Sequence, residues 1–303
     1  MYRKAERQTY RSMGNGYYHF CTDGWKGGCI FNNADQYAYG MVLMGLLSIK
    51  FNIRIYAFVL MPNHIHIILK GTGSECVQAF DYLKRKLSAM LRRCGYPTLP
   101  EGYWFNLNAI TDPDQMRTEI IYVLRNPLEK GYGTAFGYPW GTGWCYHSLL
   151  PEMMGGSPVS QMSVRRRTRY FTTEDPVPGD WKVHPYLGLL PDSFVDTSFV
   201  LKLFQTPKDL QIALVKDYEA YYQISRRLGD LCEFNKAEMT SRVSQILQKR
   251  FDSRGLSSLS EEEKGRLAII LSREFGFTSY QISTSIFIKE KVVRQLLASK
   301  ELR

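Results

Sequence analysis

Two histidines separated by one apolar residue stand in the run Val59-Leu60-Met61-Pro62-Asn63-His64-Ile65-His66-Ile67-Ile68-Leu69. Side chains at i and i+2 of a strand share a face. His64 and His66 therefore project together, and Ile65 turns to the other side. Paired imidazoles on a rigid strand make half of a divalent-metal site. The same spacing also suits two strand histidines satisfied by hydrogen bonds alone. A second chemically capable set lies downstream. Asp112-Pro113-Asp114 reads as a helix start, with an N-cap, a proline and an acid in the first turn. Beyond it, Met116, Ile120, Ile121, Val123 and Leu124 form an apolar stripe at helical spacing. At about 100° per residue, Tyr122 and Asn126 fall together opposite that stripe, with Glu119 close by. A phenol and a metal-capable amide are thus expected to face away from the core. Pro127 puts Asn126 at a kink or at the helix end.

The elements around these residues follow from local pattern. Tyr17-Tyr18-His19-Phe20-Cys21 reads as a first strand, and Ala38 to Phe51 as an apolar helix. Ile53 to Met61 is a second strand, Pro62-Asn63 a turn, and His64 to Lys70 the return strand of a hairpin. Ser74 can cap a helix from Glu75 to about Arg93, with Val77, Phe80, Leu83, Leu87 and Met90 or Leu91 inward. Gly95 ends it. Tyr103 to Ile110 is a fourth strand, followed by the tyrosine helix. The order β-α-β-β-α-β plus a helix predicts an α+β fold with a ferredoxin-like antiparallel sheet.

The segments M-P-N-H-I-H-I-I-L and Y-V-L-R-N-P-L-E-K-G, followed by Tyr138-Pro139-Trp140, resemble the HUH single-tyrosine transposases. Within that family the resemblance is to the bacterial REP-associated tyrosine transposases. It covers roughly residues 14 to 150, with three motifs in the family's order. It implies that His64-Ile65-His66 is the His-hydrophobic-His motif and that Tyr122, which opens Y-x-x-x-N-P, is the nucleophile. It implies a single-stranded DNA substrate with a palindromic hairpin, and it allows a homodimer that shares active sites. On this reading His64, His66 and a helix oxygen, that of Asn126, hold Mg²⁺ or Mn²⁺, which suit a mixed N/O site with open positions. Tyr122 attacks the phosphodiester, giving a 5′-phosphotyrosine and a free 3′-OH. Two other readings stay open: a DNA-binding regulator on a degenerate HUH fold, and a replication initiator or relaxase of the same superfamily.

The chain has 303 residues and a net charge of +10, a length that suits two domains and a balance that favours polyanionic partners. The basic residues Lys84, Arg85, Lys86, Arg92 and Arg93 on the helix 75–93 are expected to meet DNA, whereas the fourth strand is neutral at Trp104 to Asn108. The 20 tyrosines and 16 phenylalanines suit base stacking, and equally ordinary core packing. The six cysteines, at 21, 29, 76, 94, 145 and 232, lack C-x-x-C spacing and read as free thiols of a reducing cytoplasm. No apolar run is long enough to span a membrane, and the expected location is cytoplasmic, in association with the nucleoid.

Three regions are expected: an HUH nuclease-like domain over 1–150, an irregular basic and proline-rich linker over 151–195, and a helical domain over 196–303. The linker carries Arg165-Arg166-Arg167 and Arg169, which read equally well as a solvated run or as phosphate contacts. In the last region Phe199 to Phe204, Lys208 to Leu228 and Lys236 to Phe251 suit helices. Ser260-Glu261-Glu262-Glu263 is a capping box, Gly276 a stop, and Thr278-Ser279-Tyr280-Gln281 a second capping box. Lys289 to Ser299 forms a last helix around Val292, Val293 and Leu296. The pattern over about 260–300 suits a helix-turn-helix, or a generic helical bundle. As a helix-turn-helix, its recognition helix would present Lys289, Lys291, Arg294 and Gln295 to DNA.

Overall fold

The computed structural model describes residues 2–24, 28–130, 132–146, 155–216, 224–225, 236–252, 255–275, 277 and 279–299. Gly276, Thr278, Cys232 and most of the expected helix beyond residue 216 lie outside them. The fold is α+β. The chain opens with a helix absent from the sequence reading, α1 (Tyr2–Ser12), and continues as β1 (Gly16–Thr22), α2 (Ala34–Lys50), β2 (Arg54–Leu60), β3 (Ile65–Gly71), α3 (Gly73–Arg93), β4 (Phe105–Ile110) and α4 (Pro113–Glu129). The four strands form one sheet in the order β2-β3-β1-β4, with every neighbouring pair antiparallel. That is the arrangement of a split β-α-β unit.

Alternation along the strands divides the interior in two. Ile65, Ile67 and Leu69 of β3 and Phe20 of β1 join Met41, Leu43 and Leu47 of α2 and Val77, Phe80 and Leu83 of α3. On the opposite face, Cys21 and Ile68 join Met116, Ile120, Tyr122 and Leu124 of α4. Both faces of the sheet are covered, which explains why the strands read as apolar runs with weak alternation. α1 lies against α3, and the fit is close: a Cβ on Gly73 would stand 1.9 Å from the Tyr10 carbonyl oxygen.

Two caps decide where the site helices begin. The Asp112 side chain accepts the backbone N–H of Gln115, with Pro113 at the first helical position. For α3 the cap is Thr72, two residues ahead of the expected Ser74. Thr72 and Glu75 form a reciprocal capping box. α4 continues through Pro127 to Glu129, so Asn126 is helical and not at the end.

Residues 155–195, expected as an irregular linker, carry a small sheet and a helix: β5 (Ser157–Pro158), α5 (Val164–Phe171), β6 (Lys182–His184) and β7 (Gly188–Leu189). Val159, Phe171, Trp181 and Leu189 bury into the α2/α3 core. Gly188, at φ +77°, brings β7 so close to α2 that a Cβ there would meet the Ala38 carbonyl oxygen at 2.4 Å. The next helices, α6 (Thr197–Leu203) and α7 (Pro207–Lys216), also pack on the first unit, with Val200, Phe204, Leu210 and Leu214 in the α4 core.

A third core is built by α8 (Lys236–Arg250), α9 (Glu261–Phe275), α10 (Ser279–Ile286) and α11 (Glu290–Ser299). The Ser260/Glu263 capping box opens α9, with Glu263 N–H donating to Ser260 Oγ and Ser260 N–H to Glu263 Oε2. In α11 the inward residues are Val293 and Leu297. Val292, expected inside, is 39% exposed. Among the described residues no helix is long and apolar enough to cross a membrane.

Candidate functional site

The hairpin turn Pro62-Asn63 closes with the Met61 N–H donating to the His64 carbonyl at 2.9 Å. His64 sits just ahead of β3 and His66 within it. Their rings stand 4.8 Å apart at 89°. Both lie on the sheet face that α4 covers. His64 Nδ1 is 2.7 Å from Asn63 Oδ1, and Asn63 Nδ2 donates to the Gly24 carbonyl at 2.9 Å.

α4 corrects the expectation for Tyr122. The side that carries Glu119, Tyr122 and Asn126 does not face solvent. The helix lies between the sheet and α7, where Arg125 Nη1 donates to the Leu214 carbonyl. Glu119, Tyr122 and Asn126 point into the protein, with exposures of 1%, 0% and 0%. The apolar stripe marks one buried side of a helix that is covered on two. The Tyr122 ring stands 5.3 Å from the His66 ring, edge-on at 84°, and 5.6 Å from that of His19. Its hydroxyl oxygen accepts a hydrogen bond from Ser225 Oγ at 3.2 Å, and Ile224 beside it belongs to the same core.

His19 is a site residue absent from the sequence reading. It lies on β1 with its side chain on the α4 face. Nδ1 is 2.7 Å from Glu119 Oε2, and Nε2 is 3.0 Å from His66 Nδ1. All three side chains are buried. The missing signal is the β1–β3 register, which sets Cys21 opposite His66 and His19 opposite Ile68. Spacing within one strand carries no such information.

Among the described residues no group of three or more His, Cys, Asp or Glu side chains is arranged to hold a metal ion. A metal here needs a further donor of another type. Asn126 fits: its Nδ2 donates to the Tyr122 carbonyl at 3.2 Å, while its buried Oδ1 has no hydrogen-bond partner among the described residues. An amide oxygen left so at the core costs free energy unless something binds it. The donor types on offer are two imidazole nitrogens and this neutral oxygen.

The residues expected to contact DNA are dispersed. α3 packs on the sheet face opposite the histidines, so its basic side is remote from Tyr122. Arg85, Arg92 and Arg93 are exposed. Lys84 donates to the carbonyls of Glu101 and Tyr103 at 2.8 and 3.2 Å and ties down the approach to β4. Lys86 donates to the Thr172 carbonyl at 3.2 Å. Burial and the nearby charges of Arg85, Lys50 and Arg93 lower its pKa. On α11 and just before it, Lys289, Lys291 and Gln295 are exposed, whereas Arg294 is held by Glu290 at 2.8 Å.

No family model and no curated protein matches the chain. Among solved structures, a REP-associated tyrosine transposase bound to a REP hairpin is similar to it at 19% identity, over 45% of this chain and 82% of that one, with a TM-score of 0.35. At that score the likeness is too slight to bear on function.

Proposed function

We propose that the chain is a metal-dependent single-stranded DNA endonuclease and strand transferase of the HUH type, with Tyr122 as nucleophile. One observation carries the reading: the Tyr122 phenol is packed edge-on against His66, whose ring abuts His64, in one buried cluster. His64, His66 and Asn126 would hold Mg²⁺ or Mn²⁺. That ion, when bound, polarises the scissile phosphate and helps hold it for in-line attack. The Tyr122 oxygen forms a bond to phosphorus and gives up its proton. The bond to the 3′ oxygen breaks, and that oxygen leaves as a 3′-OH. The 5′-phosphotyrosine conserves the phosphodiester's energy, so the strand can be rejoined.

The substrate in this reading is single-stranded DNA bearing a palindromic hairpin. The exposed Arg85, Arg92 and Arg93 supply backbone charge. The α9–α11 helices act as a helix-turn-helix, with α11 facing DNA through Lys291 and Gln295 and with Lys289 beside its start. Incubation with hairpin-bearing single strands and Mn²⁺, followed by denaturing gels, tests it: a covalent protein–DNA adduct is expected.

A second reading, a non-catalytic DNA-binding regulator, is favoured by the complete burial of Tyr122 under Ser225. On the first reading Ser225 must leave the Tyr122 hydroxyl before a phosphate can reach the phenol. Absence of adduct on every hairpin with either metal would favour the regulator.

A further inference from the structure

We infer that Glu119 and His19 are positioning residues that set the proton on His66, so that His66 presents the lone pair of Nε2. The inference rests on the metal-site reading above and assigns it two residues outside the ligand set.

The chain of contacts has a direction. An ionised carboxylate only accepts hydrogen bonds. Glu119 Oε2, 2.7 Å from His19 Nδ1, therefore fixes the proton of a neutral His19 on Nδ1. His19 Nε2 is then an acceptor, and the group 3.0 Å from it, His66 Nδ1, must donate. With its proton on Nδ1, neutral His66 keeps the lone pair on Nε2, which stands 3.9 Å from Cys21 Sγ, a thiol that donates to the Thr22 carbonyl at 3.5 Å. All three side chains are at most 1% exposed, so bulk water does not compete for these positions.

His64 reaches the same state by a separate route. Asn63 Nδ2 donates to the Gly24 carbonyl at 2.9 Å, which turns Asn63 Oδ1 toward the ring. His64 Nδ1, 2.7 Å from that oxygen, must carry the proton. Two independent second partners, one an amide and one a histidine–carboxylate pair, leave Nε2 as the lone-pair atom on both rings. A convergence of this kind is what a metal site requires of its imidazoles.

The network requires a neutral His19. The proposed ligands His64, His66 and Asn126 carry no charge, and Glu119 is the carboxylate in contact with their cluster. Relayed through a neutral His19, its negative charge would offset part of the charge of a divalent cation held by His66. An imidazolium at His19 would cancel that charge. It would also donate to His66 Nδ1 and force the His66 proton onto Nε2.

The test uses the full chain with ¹⁵N-labelled histidine. Long-range ¹H–¹⁵N spectra of the metal-free protein report each tautomer, with His66 assigned from the signals lost in His66→Gln. The expected result is the Nδ1–H form for His19, His64 and His66. Mn²⁺ affinity is then measured by electron paramagnetic resonance for wild type, Glu119→Gln and His19→Phe, with thermal unfolding as the control for folding. Glu119→Gln should mix the His66 tautomers, leave His64 unchanged and weaken Mn²⁺ binding about 10–100-fold, the usual effect of losing such a partner. An Nε2–H His66 in wild type overturns the inference, and so does unchanged Mn²⁺ affinity in a folded Glu119→Gln. A wild type that binds no Mn²⁺ while showing the expected tautomers removes the metal reading and leaves the positioning pair standing.

Discussion

Removing the imidazole of His66 does two things at once. It takes away a proposed ligand, and it strips His19 Nε2 of a partner at 3.0 Å in the core. A buried polar group that loses its partner costs about 1–3 kcal/mol. His66→Ala is therefore expected to lower the urea midpoint as well as to abolish cleavage, and a chelator gives the cleaner comparison. Cleavage should stop with excess chelator and return with Mn²⁺. Equal cleavage in both conditions would exclude the metal. Tyr122→Phe is gentler, since it deletes one hydroxyl and its bond from Ser225, a loss of about 1 kcal/mol. Folding and hairpin binding should persist while the adduct vanishes. The wild-type adduct should hold the fragment 3′ of the cut, joined through its 5′ phosphate. An adduct formed by Tyr122→Phe would assign the chemistry to another tyrosine. At this scale the His64/His66 pair is legible because i and i+2 face together whatever surrounds them. The burial of Tyr122 is not, because it depends on α7 and on residues 224–225, about a hundred positions away.

The starts of α3 and α4 differ in how plainly they can be read. Asp112-Pro113 is a local signal, and the helix starts where it points. For α3 two hydroxyl residues compete within one turn, and the backbone chooses Thr72, whose side chain accepts Glu75 N–H at 3.2 Å while Glu75 Oε2 receives Thr72 N–H at 2.6 Å. Thr72→Ala should cost about 1 kcal/mol in chemical denaturation. Ser74→Ala should lie within about 0.5 kcal/mol of wild type, since Ser74 is a first-turn residue with an exposed contact to Gln78. Equal effects would mean that the box does not set the helix start. The strand order is legible for the same local reason, since the hairpin β2–β3 and two crossovers leave few arrangements. The small sheet of 157–189 is not, because its strands are two or three residues long and are held by packing on α2.

A net charge of +10 says that the molecule favours polyanions, and not where they lie. The fold separates the basic residues into the outer side of α3, the exposed Arg165, Arg166 and Arg169 of α5, and the exposed side of α11. The α11 side can be tested with little risk to folding. Lys289 and Lys291 are exposed, while the helix is anchored by Val293 and Leu297 in the third core. Truncation near residue 255 is a poorer test, because it would bare Val243, Ile246 and Leu247 of α8, which share that core. The double substitution Lys289→Glu with Lys291→Glu should leave thermal unfolding and Mn²⁺ affinity unchanged. If α11 meets the phosphate backbone, the substitution should weaken binding to hairpin DNA at least tenfold at low salt. It should also flatten the dependence of log K on log salt by up to about 0.9 per lost contact on duplex. Binding and salt slope equal to wild type would show that Lys289 and Lys291 do not meet the nucleic acid, and that the phosphate contacts lie on α3 or α5.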